Sequence, residues 1–239
     1  MSSLLDEVVE AHGGLGRWNT LSDLVTEIQM EGHICPPPAS SNEIPPRRAF
    51  FSLRQQRIVF LTDISGDYIM VEPDLVSFLA RPGGQPKIFP VSERTPWVTC
   101  SEGNLDLPRT AFVLGFAIRH CVTAPFLYTS PGFTVEEIEP WHEKDETWRV
   151  VRIGFPPELE VPSRVQYAYY GADRLLRRTR YTPGRAEGTG CADYASCYQE
   201  INGILLPLTH EIVSCDAAGQ ELPGEPLARI RLQNPFFSE

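Results

Sequence analysis

Two long alternating segments, Cys191–Ile201 and Ile204–Cys215, meet at Asn202-Gly203. A period of two places successive side chains on opposite faces of a strand, and Asn-Gly supplies the positive φ angles that a two-residue hairpin turn requires. The same alternation returns along most of the chain. Leu24, Ile28, Met30 and Ile34 share one face of a segment whose other face carries Glu27, Gln29, Glu31 and His33. Segments of strand character follow at Arg48–Arg54, Arg57–Thr62, Tyr68–Glu72, Val76–Ala80 and Lys87–Val91. Others lie at Phe133–Trp141, Thr147–Phe155, Arg164–Tyr170, Leu175–Tyr181 and Leu227–Gln233. Turn sequences such as Asp63-Ile-Ser-Gly-Asp, Arg81-Pro-Gly-Gly-Gln and Gly171-Ala-Asp-Arg separate them. The 18 Gly and 22 Pro of 239 residues mark these turns; their share exceeds the usual ~12%. The expectation is about ten to twelve strands, mostly antiparallel.

Two segments break the pattern. Ser3 caps a first helix with Asp6 three residues on, Leu5, Val8, Val9 and Leu15 form its apolar stripe, and Gly13-Gly14 ends it. A second helix begins near Asp106, with Pro108 in its first turn. Phe112, Val113, Phe116, Ala117 and Val122 give it a broad apolar surface up to Ala124. A sheet this wide must curl or close. The chain is therefore expected to be mainly β: one domain over 1–239, a large curved antiparallel sheet forming a half-barrel or open barrel. An N-terminal helix and a central apolar plug helix complete it, and the hollow between plug and sheet is a ligand cavity. The proline-rich run Cys35–Pro46 is read as a flap over its mouth.

With 21 Lys+Arg against 31 Asp+Glu, the net charge is −10. That disfavours nucleic acid, whose phosphates need clustered cations, and docking on anionic membranes. No apolar run is long enough for a membrane-spanning helix, so no stable membrane insertion is expected. The first residues resemble no secretory signal, which leads to the expectation of a cytoplasmic protein with its six cysteines reduced. Those cysteines read as small buried hydrophobes.

The segment Glu10-Ala-His-Gly-Gly-Leu-Gly-Arg-Trp18, followed at once by an alternating strand, resembles the start of a set of bacterial and fungal proteins. These are distantly similar to the lipoprotein-localisation (LolA/LolB-like) half-barrel fold. Thr123-Ala-Pro-Phe, Pro131-Gly-Phe, Glu137-Ile-Glu-Pro-Trp141, Leu175-Leu-Arg-Arg and Asn202-Gly-Ile to Pro207 extend the resemblance over most of the chain. It implies a curved sheet with an apolar cavity and no established reaction. The lipoprotein carriers themselves work outside the cytoplasm.

Sites of chemistry are few. The five histidines show no metal-binding pattern, no cysteine has a histidine at zinc-ligand spacing, and no dinucleotide, P-loop or nucleophile-elbow motif occurs, so neither metal nor cofactor is expected. His210 stands in the apolar row Ile204, Leu206, Leu208, His210, Ile212. It is either a hydrogen-bonded core residue or a cavity-facing acid or base kept neutral by desolvation. The hairpin brings Tyr194 or Tyr198 alongside this row, unless a one-residue slip turns them to the other face. Tyr167 and Tyr169, on one face, form either packing pairs or an amphipathic cavity wall. Trp141 sits at a cavity rim or in a surface turn. Arg174, Arg178 and Arg180 line either a solvated strand face or an anchor for a carboxylate or diphosphate.

Read together, these residues give a cofactor-independent enzyme that confines a hydrophobic small molecule and promotes a cyclisation, isomerisation or pericyclic step. His210 and Tyr194 are its candidate catalytic groups, and Tyr167, Tyr169, Tyr198, Trp141, Phe112, Phe116 and Arg178 its candidate binding groups. Two alternatives use the same fold: a non-catalytic carrier of lipid- or isoprenoid-like ligands, and a structural protein whose plug fills the hollow. The sequence leaves the oligomeric state open.

Overall fold

The computed structural model describes residues 3–32, 48–61, 67–79, 85–90, 107–182 and 189–239. The helices are α1 (Leu4–Ala11), α2 (Gly14–Trp18) and α3 (Leu107–Thr123). The strands of the first half are β1 (Asp23–Gly32), β2 (Arg48–Ser52), β3 (Ile58–Leu61), β4 (Tyr68–Glu72), β5 (Leu75–Leu79) and β6 (Lys87–Pro90). Those of the second are β7 (Thr134–Glu143), β8 (Glu146–Gly154), β9 (Val165–Tyr170), β10 (Leu176–Tyr181), β11 (Thr189–Ile201), β12 (Ile204–Asp216) and β13 (Ala228–Ser238). Each alternating segment of the sequence became a strand, and the count among the described residues is thirteen rather than ten to twelve. The last strand runs five residues beyond Gln233, through Asn234 at φ 49°. His33, Cys35–Pro46 and Cys100 lie outside the described residues, so the flap expected there does too.

All thirteen strands join in one antiparallel sheet with β6 at one edge and β7 at the other. Neighbours in sequence are neighbours in the sheet except β6 and β7, which form its two edges; the two halves join at the centre, where β1 pairs with β13 through Leu24↔Phe237 and Ile28↔Leu232. Strand-to-strand twist accumulated over so many strands curls the open sheet. Directly paired residues share a face, so one side of the curl can be followed across the ladder. Leu24, Phe51, Ile58, Val71 and Val76 are consecutive partners from β1 to β5, and all are buried at 0% exposure. Their face packs against α3, and the core they form includes Phe112, Leu114, Phe116, Ile118 and Val122 of that helix. On the same side of β8 to β11, Val151, Ala168 and Ala195 pack with Leu4 and Val8 of α1.

Alternation also fills the opposite, outer face. Trp148, Val150 and Tyr169 form a small second core there with Trp141, Tyr167 and Tyr194 beside them. Ala192, Val213 and Cys215 continue it.

The Ala-His-Gly-Gly-Leu-Gly-Arg-Trp segment is a docking device. Ser3 and Asp6 make the reciprocal capping box of α1. Gly13, at φ 118°, turns the chain into α2 and lies so close to the β11–β12 turn that a Cβ would stand 2.2 Å from the Gly203 carbonyl oxygen. The His12 carbonyl accepts from Leu205 N at 3.0 Å, and Arg17 Nε donates to the Asn202 carbonyl at 2.6 Å. Trp18 then stacks on Phe126 at 4.3 Å between ring centres. Two of the segments that carry the family resemblance, Glu10–Trp18 and Asn202 to Pro207, are thus the two halves of one contact.

Candidate functional site

The hollow and its plug come first. α3 lies on the apolar face of β3, β4 and β5, and Gly115 lets it approach: a Cβ there would stand 3.3 Å from the Phe60 ring. Phe112 and Phe116, named from the sequence, are both buried here with ring centres 4.9 Å apart. Near the end of α3, the space lined by Phe116, Arg119, His120, Leu127 and Val161 is only about 10 Å³. That is room for about one water molecule, so a ligand of any size enters this end only if α3 gives way.

Three consecutive residues near the end of α3 hold it down through polar contacts. Arg119 Nε donates to the carbonyls of Ser52 at 3.3 Å and Gln55 at 3.0 Å. Burial lowers its pKa to about 10. His120 Nε2 lies 3.3 Å from the Tyr128 hydroxyl, and burial lowers its pKa to about 4. The Cys121 thiol donates to Asp193 Oδ2 at 3.3 Å. Asp193 in turn meets His210 Nδ1 at 3.0 and 3.2 Å through its two oxygens.

Of the two readings of His210, a hydrogen-bonded core residue or a neutral acid or base, the structure shows the hydrogen bond. Burial pulls its pKa down, but the Asp193 carboxylate, helped by Cys121, outweighs this and holds it well above the ordinary histidine value. It is a charged partner of Asp193 in the core, 2% exposed. Burial, reinforced by the Asp193 charge, pushes the Cys121 thiol up, the reverse of what activates a nucleophile. His210 also lacks the phenol proposed for it. Tyr194 pairs with Glu211, whereas His210 pairs with Ala195, so Tyr194 lies on the outer face. Tyr198 is committed elsewhere: its hydroxyl donates to the Leu176 carbonyl at 2.7 Å and its ring meets His12 edge-on.

The remaining expected binding residues gather on the outer face, separated from the hollow by the sheet. Arg178 is the partner of both Tyr169 and Tyr194. Its guanidinium sits 5.1–5.3 Å from the ring centres of Trp141, Tyr169 and Tyr194. It donates to the Gly219 carbonyl, and Glu143 Oε2 stands 3.7 Å away. The solvated arginine face is thus corrected at this position: Arg178 has no exposed side-chain surface, because the segment after β12 folds back over it. Trp141 belongs to this cage, with its Nε1 donating to Glu143 at 2.8 Å. Arg180 lies over the Tyr167 ring at 4.2 Å and lines, with Ser163, Thr182 and Asp216, a shallow polar cleft of about 290 Å³. Arg174 is tied to Glu7 at 2.6 Å.

Arg119, His120, Cys121 and Asp193 escaped selection as site residues. A polar triplet in an apolar helix was one available signal. The two-residue turn was the other, because it pairs Ile201 with Ile204 and, counting back, Ala195 with His210 and Asp193 with Ile212. That puts Asp193 on the histidine's face. The cysteine and histidine that lack ligand spacing in sequence are brought together in space: Cys121, Asp193 and His210 offer ligand atoms all within 4.8 Å of one another.

No protein-family model matches the chain, and no curated protein matches it at significance. Solved structures do. The chain is similar to a LolA superfamily protein from Nitrosomonas europaea at 12% identity and TM-score 0.53, over 100% of this chain and 95% of that one. It is similar to a DUF1329 family protein from Desulfovibrio piger at 10% identity and TM-score 0.54, over 98% and 92%. The half-barrel resemblance is borne out at the level of fold. The cytoplasmic expectation is corrected by the same finding. The fold the chain shares with a LolA superfamily protein speaks against a cytoplasmic location.

Proposed function

We propose that the protein binds and carries a hydrophobic, lipid-like molecule in the hollow of its sheet without transforming it. The observation that carries this reading is the continuous apolar wall from Leu24 to Val76, covered among the described residues by α3 rather than by a second sheet. The whole-length likeness to a LolA superfamily protein supports it. A cyclase or isomerase draws no such support: His210 is occupied by Asp193, and the candidate phenol is on the other side of the sheet.

Magnitudes select the ligand class. Uncovering the wall releases Phe112, Leu114, Phe116, Ile118 and Val122 from it, at ~1.5–3 kcal/mol per side chain, or about 8–15 kcal/mol in all. A long acyl chain taking their place recovers about 0.8 kcal/mol per buried methylene, so roughly a dozen or more methylenes match the loss. Ligands with only a few apolar carbons fall far short. The reading therefore commits to a long-chain amphiphile. Titrating the protein with a long-chain fatty acid bearing an environment-sensitive fluorophore tests it. The expected result is saturable binding of one molecule per chain, displaced by unlabelled long-chain lipid and not by short-chain acids. Absence of saturable binding overturns the reading and leaves a structural protein with a filled core.

A further inference from the structure

We propose that Cys121 Sγ, the Asp193 carboxylate and His210 Nδ1 form a site for a divalent transition-metal ion of the zinc class, which staples α3 to the sheet. The three side chains come from separate elements, α3, β11 and β12, and their ligand atoms lie within 4.8 Å of one another. Around a tetrahedral ion with metal–sulfur bonds of ~2.3 Å and metal–nitrogen or –oxygen bonds of ~2.0 Å, neighbouring ligand atoms stand about 3.3–3.6 Å apart. The sulfur–oxygen separation is already 3.3 Å and the nitrogen–oxygen separation 3.0 Å. An ion between them requires shifts of only a few tenths of an ångström in these two pairs, and the sulfur and nitrogen, within 4.8 Å of each other, close to about 3.5 Å.

The donor chemistry fits the same class. One sulfur, one imidazole nitrogen and one carboxylate oxygen suit zinc and its neighbours, whereas magnesium and calcium prefer all-oxygen sites. The charge fits as well. A thiolate and a carboxylate together carry two negative charges, which cancel those of a divalent ion. Loading is a balanced exchange: the ion enters, and the protons held by the thiol and by the ring nitrogen that becomes a ligand leave to solvent. The loaded site buries no net charge, which matters in an apolar core. His210 Nε2 has no protein partner, so no second hydrogen bond competes for the ring.

Three protein ligands leave a fourth position for water or another small donor. Because Cys121 is on the plug and the other two ligands are on the sheet, a bound ion resists withdrawal of α3 from the hollow. This consequence for ligand access rests on the carrier reading; the site itself does not.

The test uses Co²⁺ and Zn²⁺ alone, added to the full-length protein after dialysis against chelator. One Co²⁺ per chain is expected, with the visible bands of a tetrahedral ion and a thiolate-to-cobalt charge-transfer band that Zn²⁺ abolishes. Cys121→Ser should remove the charge-transfer band, His210→Asn should weaken binding at least tenfold, and Cys197→Ser, at an exposed thiol, should change neither. No band, or a band lost in Cys197→Ser and kept in Cys121→Ser, overturns the proposal. If Cys121→Ser does not fold, wild-type protein decides: Zn²⁺ should slow maleimide modification of Cys121 and leave Cys197 unaffected, and equal rates at Cys121 with and without Zn²⁺ overturn it. Failure of the fatty-acid titration leaves these outcomes untouched, so the two readings fail separately.

Discussion

Gly13→Ala isolates the contact on which the half-barrel's entry rests. Its Cβ would stand 2.2 Å from the Gly203 carbonyl oxygen and 3.1 Å from Ile204 Cα, both backbone atoms that cannot rotate aside. At φ 118° an L side chain also adds strain of about 1–2 kcal/mol. The hairpin has to retreat by about an ångström, which breaks the Leu205–His12 hydrogen bond, worth ~1 kcal/mol, and the charged Arg17–Asn202 bond, worth ~1.5–3 kcal/mol. The loss comes to about 4–6 kcal/mol, a large part of the ~5–15 kcal/mol that holds a typical domain folded. Gly16→Ala, three residues on, is the internal control. Nothing lies within 4 Å of its added Cβ, and α2 gains a better helix former. It should stabilise by ~0.5–1 kcal/mol. Urea unfolding followed by tryptophan fluorescence and circular dichroism measures both variants. A Gly13→Ala protein within about 1 kcal/mol of wild type, or equal losses at both positions, would refute the docking account.

Other expectations follow from the buried polar groups. In chelator-treated protein, Asp193→Ala removes the charge that keeps His210 protonated and leaves a buried neutral imidazole without its partner, which should cost about 1–3 kcal/mol in a urea melt; no measurable loss counts against the pair. His120 titrates at about 4 when folded and at 6.5 when unfolded, so between those values the unfolded chain binds more protons. Acidification across that window should therefore remove up to ~3 kcal/mol. His12, also lowered by burial, acts in the same direction, while the stability that His210 gains from Asp193 is complete below 6.5 and is lost only as the pH rises above it. His120→Asn should flatten the acid side of the stability curve, and an unchanged slope would contradict the assignment. Arg178→Lys keeps the charge but loses the planar contact with three aromatic rings and the reach to Gly219. It should lower stability by ~2 kcal/mol and alter the near-ultraviolet circular dichroism of Trp141; an unchanged spectrum speaks against the cage.

Period-two alternation is local, so every strand could be read from its own residues, and Ser3, Asp6 and Gly13-Gly14 announced α1 in the same way. The binding residues were harder because their surroundings come from elsewhere in the chain. Arg178 sits in a segment that reads as a solvated face until the stretch after β12 folds over it. Desolvation alone predicts a neutral His210; Asp193, placed on its face by the hairpin register, reverses the sign. That register was available from Asn202-Gly203. Cys121 was not: its place beside Asp193 depends on how α3 seats in the hollow, and nothing near it in sequence records that. Location was misjudged for a related reason, since the first residues of a chain say little about where its fold is at work.

Hydrogen–deuterium exchange with and without a bound long-chain fatty acid tests the central claim most directly. If the ligand takes the hollow, exchange along Leu107–Thr123 should change on binding while the β11–β12 hairpin stays protected. Saturable binding with α3 exchanging as in the free protein would mean that the ligand sits elsewhere, and the hollow is then no carrier site.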